Sequence, residues 1–195
     1  GTNLIKRLLK EGHHVVSLDN YSSGLKENEQ ESCDYIDLDL CEVKDYSDYI
    51  GVPDVIFHMA ALARIQTSLT EPRHHIINNF ESTLNILDWS REQGGIPIVY
   101  AGSSSKHHGV TGSPYAWVKW SGEELCKLYG DVYNVPTSIC RFYNVYGPHQ
   151  LLDGPYCTVV GVFMEQFKKG KSLTITGDGK QRRDFTHVSD VVSAN

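Results

Sequence analysis

No stretch of this sequence approaches the ~20 consecutive apolar residues that cross a bilayer. No charged leader followed by an apolar run marks a targeting segment either. Neither a membrane span nor a membrane partner is therefore expected. Basic residues are in deficit, with 18 Lys and Arg against 24 Asp and Glu, a formal charge of −6. That balance excludes the basic footprint of a nucleic-acid binder. Cysteines are few and scattered: Cys33, Cys41, Cys126, Cys140 and Cys157, an odd number with no CxxC pair. They read as reduced thiols of a cytoplasmic protein, not as a disulfide frame or a zinc site. Internal repeats and low-complexity linkers are lacking too. There is no initiator Met, and the chain closes at Asn195 inside the helical-looking run DVVSAN. It reads as a piece of a longer protein.

What is present is ordinary for a globular chain. There are 195 residues, 40% hydrophobic and 10% aromatic, enough for one domain or slightly more. Leu4, Ile5, Leu8 and Leu9 share one helical face between residues 2 and 11, and Gly12 is a natural stop. HVVSLD (14–19) reads as a buried strand and YSSG (21–24) as a loop. YIDLDL (35–40) and DVIFHMAA (54–61) read as strands. Residues 73–92 have a helical pattern ended by Gly94 and Gly95. IPIVYAGSS (96–104) is a strand running into a small-residue turn. Pro114 opens a further helix, as suits a residue with no N–H to leave unpaired. TSICRFYNVYG (137–147) is the next strand. Near-continuous apolar strands alternating with helices predict a parallel, doubly wound α/β sheet. After Gly147 the texture changes. A helix near 158–169 and a strand and turn over LTITGDGKQRRDF (173–185) read as the start of a smaller subdomain. The boundaries expected are 1–147 and 148–195.

Three features point to chemistry. Gly1 opens the first helix, where the last glycine of a phosphate-binding turn would stand. Asp19 ends the following strand, about 20 residues past such a turn. A carboxylate there takes the ribose hydroxyls of NAD and repels the extra phosphate of NADP; its other reading is a strand-end Asp capping a loop. Tyr115 and Lys119 stand four apart, on one helix face. An ammonium beside the phenol would lower its pKa from ~10 and make it a general base. A solvated lysine beside a half-buried aromatic is the alternative. AGSSS (101–105) sets small hydroxyl residues at the carboxyl end of a parallel strand, the edge where ligands bind. Ser, Tyr and Lys together suit hydride transfer with a nicotinamide cofactor.

Taken in order, the segments GTNLIKRLLKEGHHVVSLDN, DVIFHMAA, NNFEST, YAGSSS, PYAWVKWSGE, RFYNVYGP and GDGKQRRDFTHVSD carry a resemblance. The chain resembles the extended short-chain dehydrogenase/reductases, in particular the NAD-dependent nucleotide-sugar epimerase/dehydratase family, over nearly its whole length. It is closest in kind to epimerases of the UDP-glucose 4-epimerase type. The resemblance implies a Rossmann fold, NAD as cofactor, a nucleotide-sugar substrate and a homodimer built on the helices around 73–92 and 114–130.

By that resemblance the catalytic hydroxyl, counted back from Gly109, falls on Ser104, with Ser103 and Ser105 as register alternatives. Tyr115 is the acid/base and Lys119 holds the nicotinamide ribose. Asp19 and Asn20 match adenosine-ribose positions, with Ser22, Ser23 and Gly24 in the loop beneath. Asp39 and Leu40 match adenine contacts. Met59, Ala60, Ala61 and Ala63 match the strand end along the pyrophosphate. Asn79 matches an asparagine near the active site, and Tyr143 falls near the nicotinamide. Ser104, Asn144 and Arg183 match substrate contacts, the Arg183 fork suiting phosphate. No metal is implied.

Three departures stand out. The family's first strand and first glycines are absent, so residues 1–195 alone are expected to fold and bind NAD poorly; a cooperative thermal transition raised by NAD would overturn that. The segment between Ser104 and Tyr115 is short, with His108 where the family has a tyrosine. The C-terminal remainder of the sugar pocket is missing. The family's 4,6-dehydratases carry an Asp-Glu pair after the catalytic Thr, and its decarboxylases a nearby Glu. Ser105 and Lys106 stand here instead, which leaves 4-epimerisation as the leading expectation. A dehydratase, decarboxylase or reductase of the same family is the alternative. A non-catalytic dinucleotide sensor is a further one, but its usual mark, loss of the Tyr or Lys, is not found. The pairs His13–His14, His74–His75 and His107–His108 make poor chelates, because adjacent side chains diverge. They read as solvated surface, with His107 and His108 expected along the substrate pocket. Trp117 and Trp120 read as helix packing.

Overall fold

The computed structural model describes residues 1–195. Helix α1 (Thr2–Lys10) leads to β1 (Val16–Asp19) and β2 (Asp34–Asp37). A short α2 (Ser47–Ile50) precedes β3 (Ile56–His58), α3 (Ile65–Thr70) and α4 (Pro72–Glu92). Then come β4 (Ile98–Ser103), α5 (Pro114–Tyr133), β5 (Thr137–Phe142) and β6 (Val145–Tyr146). The chain ends in α6 (Val159–Lys168), β7 (Thr186–His187) and α7 (Val188–Ala194). No helix is long and apolar enough to cross a membrane.

Every strand pair is parallel, as the unbroken apolar runs require. The pairing runs β1-β2, β3-β4-β5 and β6-β7. The strands thus fall into three separate groups. Central in its group, β4 is buried along almost its whole length. The two long helices α4 and α5 pack on each other, and α5 also lies on β4. Proline opens both, and the Ser113 Oγ accepts the Ala116 N–H at 3.1 Å to cap α5. Between helices and sheet lies the main core, with Tyr46, Leu87, Trp89, Ile98, Tyr100, Cys126 and Val135 at most 2% exposed.

Four expectations need correction. The strand expected over 173–178 does not form. No neighbouring strand pairs with it, Leu173 and Ile175 stay exposed, and the Gln166 amide on α6 accepts the Thr174 N–H and donates to the Thr174 hydroxyl instead. The run 137–147 is two strands: Asn144 takes φ +36°, and β6 leaves β5 to pair with β7. His75 is 1% exposed rather than solvated, because it lies on the inner face of α4 one turn before Asn79. Trp117 is 38% exposed, so it packs less than expected.

Candidate active site

The carboxyl end of β4 and the start of α5 build the centre of the site. β4 runs up to Ser103, and a 3₁₀ turn over Ser104–His108 follows. The Ser103 Oγ accepts the Ser105 N–H at 3.2 Å and donates to the Ser105 Oγ at 2.9 Å. Tyr115 lies in the first turn of α5. Its backbone N–H donates to the Oγ of Ser68, a fully buried residue of α3. Burial pushes the Tyr115 phenol up, and a hydrogen bond with the Ser103 side chain works against that. Ser103, Ser104 and Ser105 all stand at this strand end: the Ser103 and Ser105 hydroxyls bond each other, and the Ser104 side chain makes no hydrogen bond within the chain.

Lys119 is 4% exposed. Its ammonium lies over the Tyr100 ring, 4.3 Å from the centroid, a cation–π contact. Desolvation pushes it down to about 8, with Cys126 and Glu123 opposing. No hydrogen bond joins it to Tyr115. The expected lowering of the phenol by the lysine is therefore absent here. The shared helix face is real, but the long lysine side chain runs to the Tyr100 ring beneath it. Below, His58 bonds the Thr83 hydroxyl at 3.0 Å and is held neutral, pushed down to about 3 by burial and by Lys119.

The second cluster gathers at the carboxyl ends of β1 and β2. The Asp19 Oδ1 accepts the Tyr21 N–H at 2.9 Å. Asn20 donates to Asp39 at 3.0 Å and accepts from Ser22 N–H at 3.1 Å. Gly24 faces Asp19 closely, and a Cβ there would sit 3.1 Å from the Asp19 Oδ2. Ser22 and Ser23 lie exposed between them. Leu40 is 8% exposed and joins the main core, its carbonyl taken by Asn85 and Tyr46, so only its N–H is left for an adenine. Met59, Ala60, Ala61 and Ala63 form the irregular segment after β3. The Asn79 amide takes the Leu62 N–H at 2.7 Å and donates to the Leu62 carbonyl at 3.2 Å, holding that segment against α4.

These residues fit a dinucleotide on two counts. Asp19 keeps its Oδ2 free of any hydrogen bond beside a residue without a side chain. Lys119 holds a buried ammonium with no hydrogen-bond acceptor, a natural partner for ribose hydroxyls.

A third cluster adjoins the serine turn. Tyr143 stacks on His107, and its hydroxyl lies 3.0 Å from the His107 Nε2. Asn144 donates to the Asp184 carbonyl at 2.8 Å, which brings Arg183 to the same edge. Arg183 is exposed, one N–H donating to the Arg182 carbonyl. His149 bonds both Lys6 and Asn28, each at 2.7 Å, and so straps this side to α1.

The sequence reading missed one cluster entirely. Glu123, fully buried, binds Lys106 at 2.9 Å and Arg141 through its Nε and Nη2 at 2.9–3.1 Å. The one signal in the sequence was its spacing, four residues after Lys119 on the Tyr115–Lys119 face of the helix.

Comparisons with known proteins agree with this geometry. A profile of the NAD dependent epimerase/dehydratase family matches residues 1–195. A UDP-glucose 4-epimerase of Mycolicibacterium smegmatis is 33% identical over all of this chain and 68% of its own length. A UDP-N-acetyl-alpha-D-glucosaminuronate decarboxylase of Bacillus cytotoxicus is 31% identical, with 100% and 66% covered. The crystal structure of the Thermotoga maritima UDP-glucose 4-epimerase with UDP-glucose superposes with a TM-score of 0.93 at 28% identity, covering 100% of this chain and 68% of that one. The chain spans about two thirds of the length of the relatives it matches. With a Rossmann-type parallel sheet and a serine, tyrosine and lysine at its carboxyl edge, this chain belongs to the NAD dependent epimerase/dehydratase family of enzymes.

Proposed function

We propose that this chain is the cofactor-binding and catalytic part of an NAD-dependent nucleotide-sugar 4-epimerase. Residues 1–147 form the dinucleotide domain, and 148–195 begin the sugar-nucleotide subdomain with Asn144 and Arg183 at their junction. The observation that carries the reading is the absence of a free carboxylate beside the serine turn. A dehydratase needs a carboxylate to remove the C5 proton. The nearest one, Glu123, is fully buried and bound to two cations. Burial pushes it up, but the bonds from Arg141 and Lys106 outweigh this and hold it below the ordinary carboxylate range. Lys106 itself points its ammonium at Glu123 rather than offering a base.

In this reading Tyr115 takes the proton of the sugar 4-hydroxyl, and a serine of the Ser103–Ser105 group donates a hydrogen bond to the 4-oxygen. NAD, when bound, accepts the C4 hydride and returns it. Lys119 orients the nicotinamide ribose and Asp19 the adenosine ribose. After the sugar turns its other face, Tyr115 gives the proton back. Arg183 and Asn144 hold the diphosphate. A second copy of this chain is the proposed partner, across the exposed apolar residues of α4 and α5, and the five free thiols suit the cytoplasm.

The test uses the full-length protein with a panel of nucleotide sugars in heavy water, followed by proton NMR. A C4 epimer without solvent deuterium at C4 is expected. A 4-keto-6-deoxy product with deuterium at C5 overturns the reading in favour of a dehydratase. Loss of a carboxyl carbon from a uronic acid overturns it in favour of a decarboxylase.

A further inference from the structure

Glu123 is the one fully buried carboxylate of the chain, and the proposed reaction gives it no proton to move. Its surroundings are specific. It lies on α5 one turn beyond Lys119 and two turns beyond Tyr115, on the same buried face. Its Oε1 fills the space a side chain would take at Gly102, where a Cβ would come within 2.8 Å. Gly102 is the β4 residue paired with Arg141 on β5. Through that gap the carboxylate reaches Arg141 by both Nε and Nη2. The Oε2 also accepts the Lys106 ammonium at 2.9 Å. Lys106 is the residue directly after Ser105, and Arg141 stands two before Tyr143. One carboxylate thus ties together α5, the serine turn and the end of β5.

We propose that Glu123 is a positioning residue, clamping the serine turn through Lys106 so that its hydroxyls hold their place at the start of α5 beside Tyr115. This rests on the reading of Tyr115 as the acid/base. The physical reason is economy of anchors. The turn is short, a single 3₁₀ stretch that also packs on α5. The Lys106–Glu123 pair is the ion pair that joins its middle to the helix carrying Tyr115 and Lys119. A buried, charge-assisted clamp resists the small displacement that misaligns a reacting pair. The negative charge also lies where it favours the proton on Lys119, opposing its desolvation. Gly102 completes the device, because any side chain there would expel the carboxylate.

The experiment compares full-length wild type with Lys106→Met, Glu123→Gln and Glu123→Asp. It reads hydrogen exchange of residues 103–109, bound NAD content, and kcat and KM against pH. In Lys106→Met, whose side chain is partly exposed and whose loss leaves the core intact, turn exchange should rise about tenfold. Its kcat should fall about tenfold to a hundredfold, with KM within about twofold and NAD retained. In Glu123→Gln the alkaline limb of kcat should move to lower pH, because Lys119 loses the charge that favours its proton. Glu123→Asp should restore that limb. Unchanged turn exchange in Lys106→Met overturns the proposal, as does an unmoved alkaline limb in a folded Glu123→Gln. Hydrogen exchange needs no turnover. A wild type inert towards every sugar would therefore fail the epimerase reading while the exchange data still decide the clamp.

Discussion

At the scale of single residues, burial governs the titratable groups of the site more than their neighbours do. Lys119, His58 and Tyr115 are all displaced towards their neutral forms, and desolvation is the largest cause each time. His58 gives the clearest consequence. Its folded pKa is about 3 against an ordinary 6.5, so below pH 6.5 the unfolded chain takes up a proton that the folded chain refuses. Stability should therefore fall as pH drops from 6.5 towards 3, by up to ~1.4 kcal/mol per pH unit from this group alone. His58→Gln, which keeps an amide within reach of Thr83, should show a shallower fall. Urea denaturation across that pH range checks it, and parallel curves for the two proteins would mean that His58 protonates without resistance. The sequence identified Tyr115 and Lys119 as a pair on one face. It did not reveal that the lysine would rest on Tyr100, because that ring arrives from β4, 15 residues before Tyr115.

At the scale of elements, the site depends on how closely α5 approaches β4. Gly122 sits inside α5, where glycine costs ~1 kcal/mol against alanine. Its reason lies across the interface: a Cβ there would overlap the Tyr100 hydroxyl and ring carbon. Gly122→Ala should therefore destabilise the protein by ~1–3 kcal/mol despite the better helix former. It should also displace the Tyr100 ring that supports Lys119. Equilibrium denaturation measures the first effect, and a gain in stability would contradict the packing argument. The start of α5 was readable because Pro114 marks it, and the extent of α4 because its apolar pattern ends at Gly94 and Gly95. The run at 173–178 was misread because its alternating apolar residues suit a strand, and a strand forms only where another offers hydrogen bonds. The short helix α3 was missed, although its Ser68 anchors the first turn of α5.

At the scale of the whole molecule, α4 and α5 leave a surface stripe with nothing over it. Trp117, Leu128 and Val132 follow one another by 11 and 4 residues, so they share a side of α5, with Ile77 exposed on α4. Such a contiguous apolar surface suits another protein better than water. Sedimentation of the full-length protein should give twice the monomer mass. A Leu128→Glu, Val132→Glu double variant should shift it to monomer without unfolding it. A wild type that sediments as a monomer at micromolar concentration would remove the dimer.

The sequence by itself determined the alternation of strands and helices, the parallel sheet, and the three regions where chemistry gathers. These follow from local patterns: apolar periodicity, helix-opening prolines, an acidic strand end, and a tyrosine and lysine one turn apart. Only the tertiary structure decided that Lys119 rests on the Tyr100 ring, that Asn79 holds the Leu62 backbone, and that Glu123 binds Lys106 and Arg141. Each of those outcomes is a contact between residues distant in the chain. Such contacts are fixed by how elements pack, which no local spacing encodes.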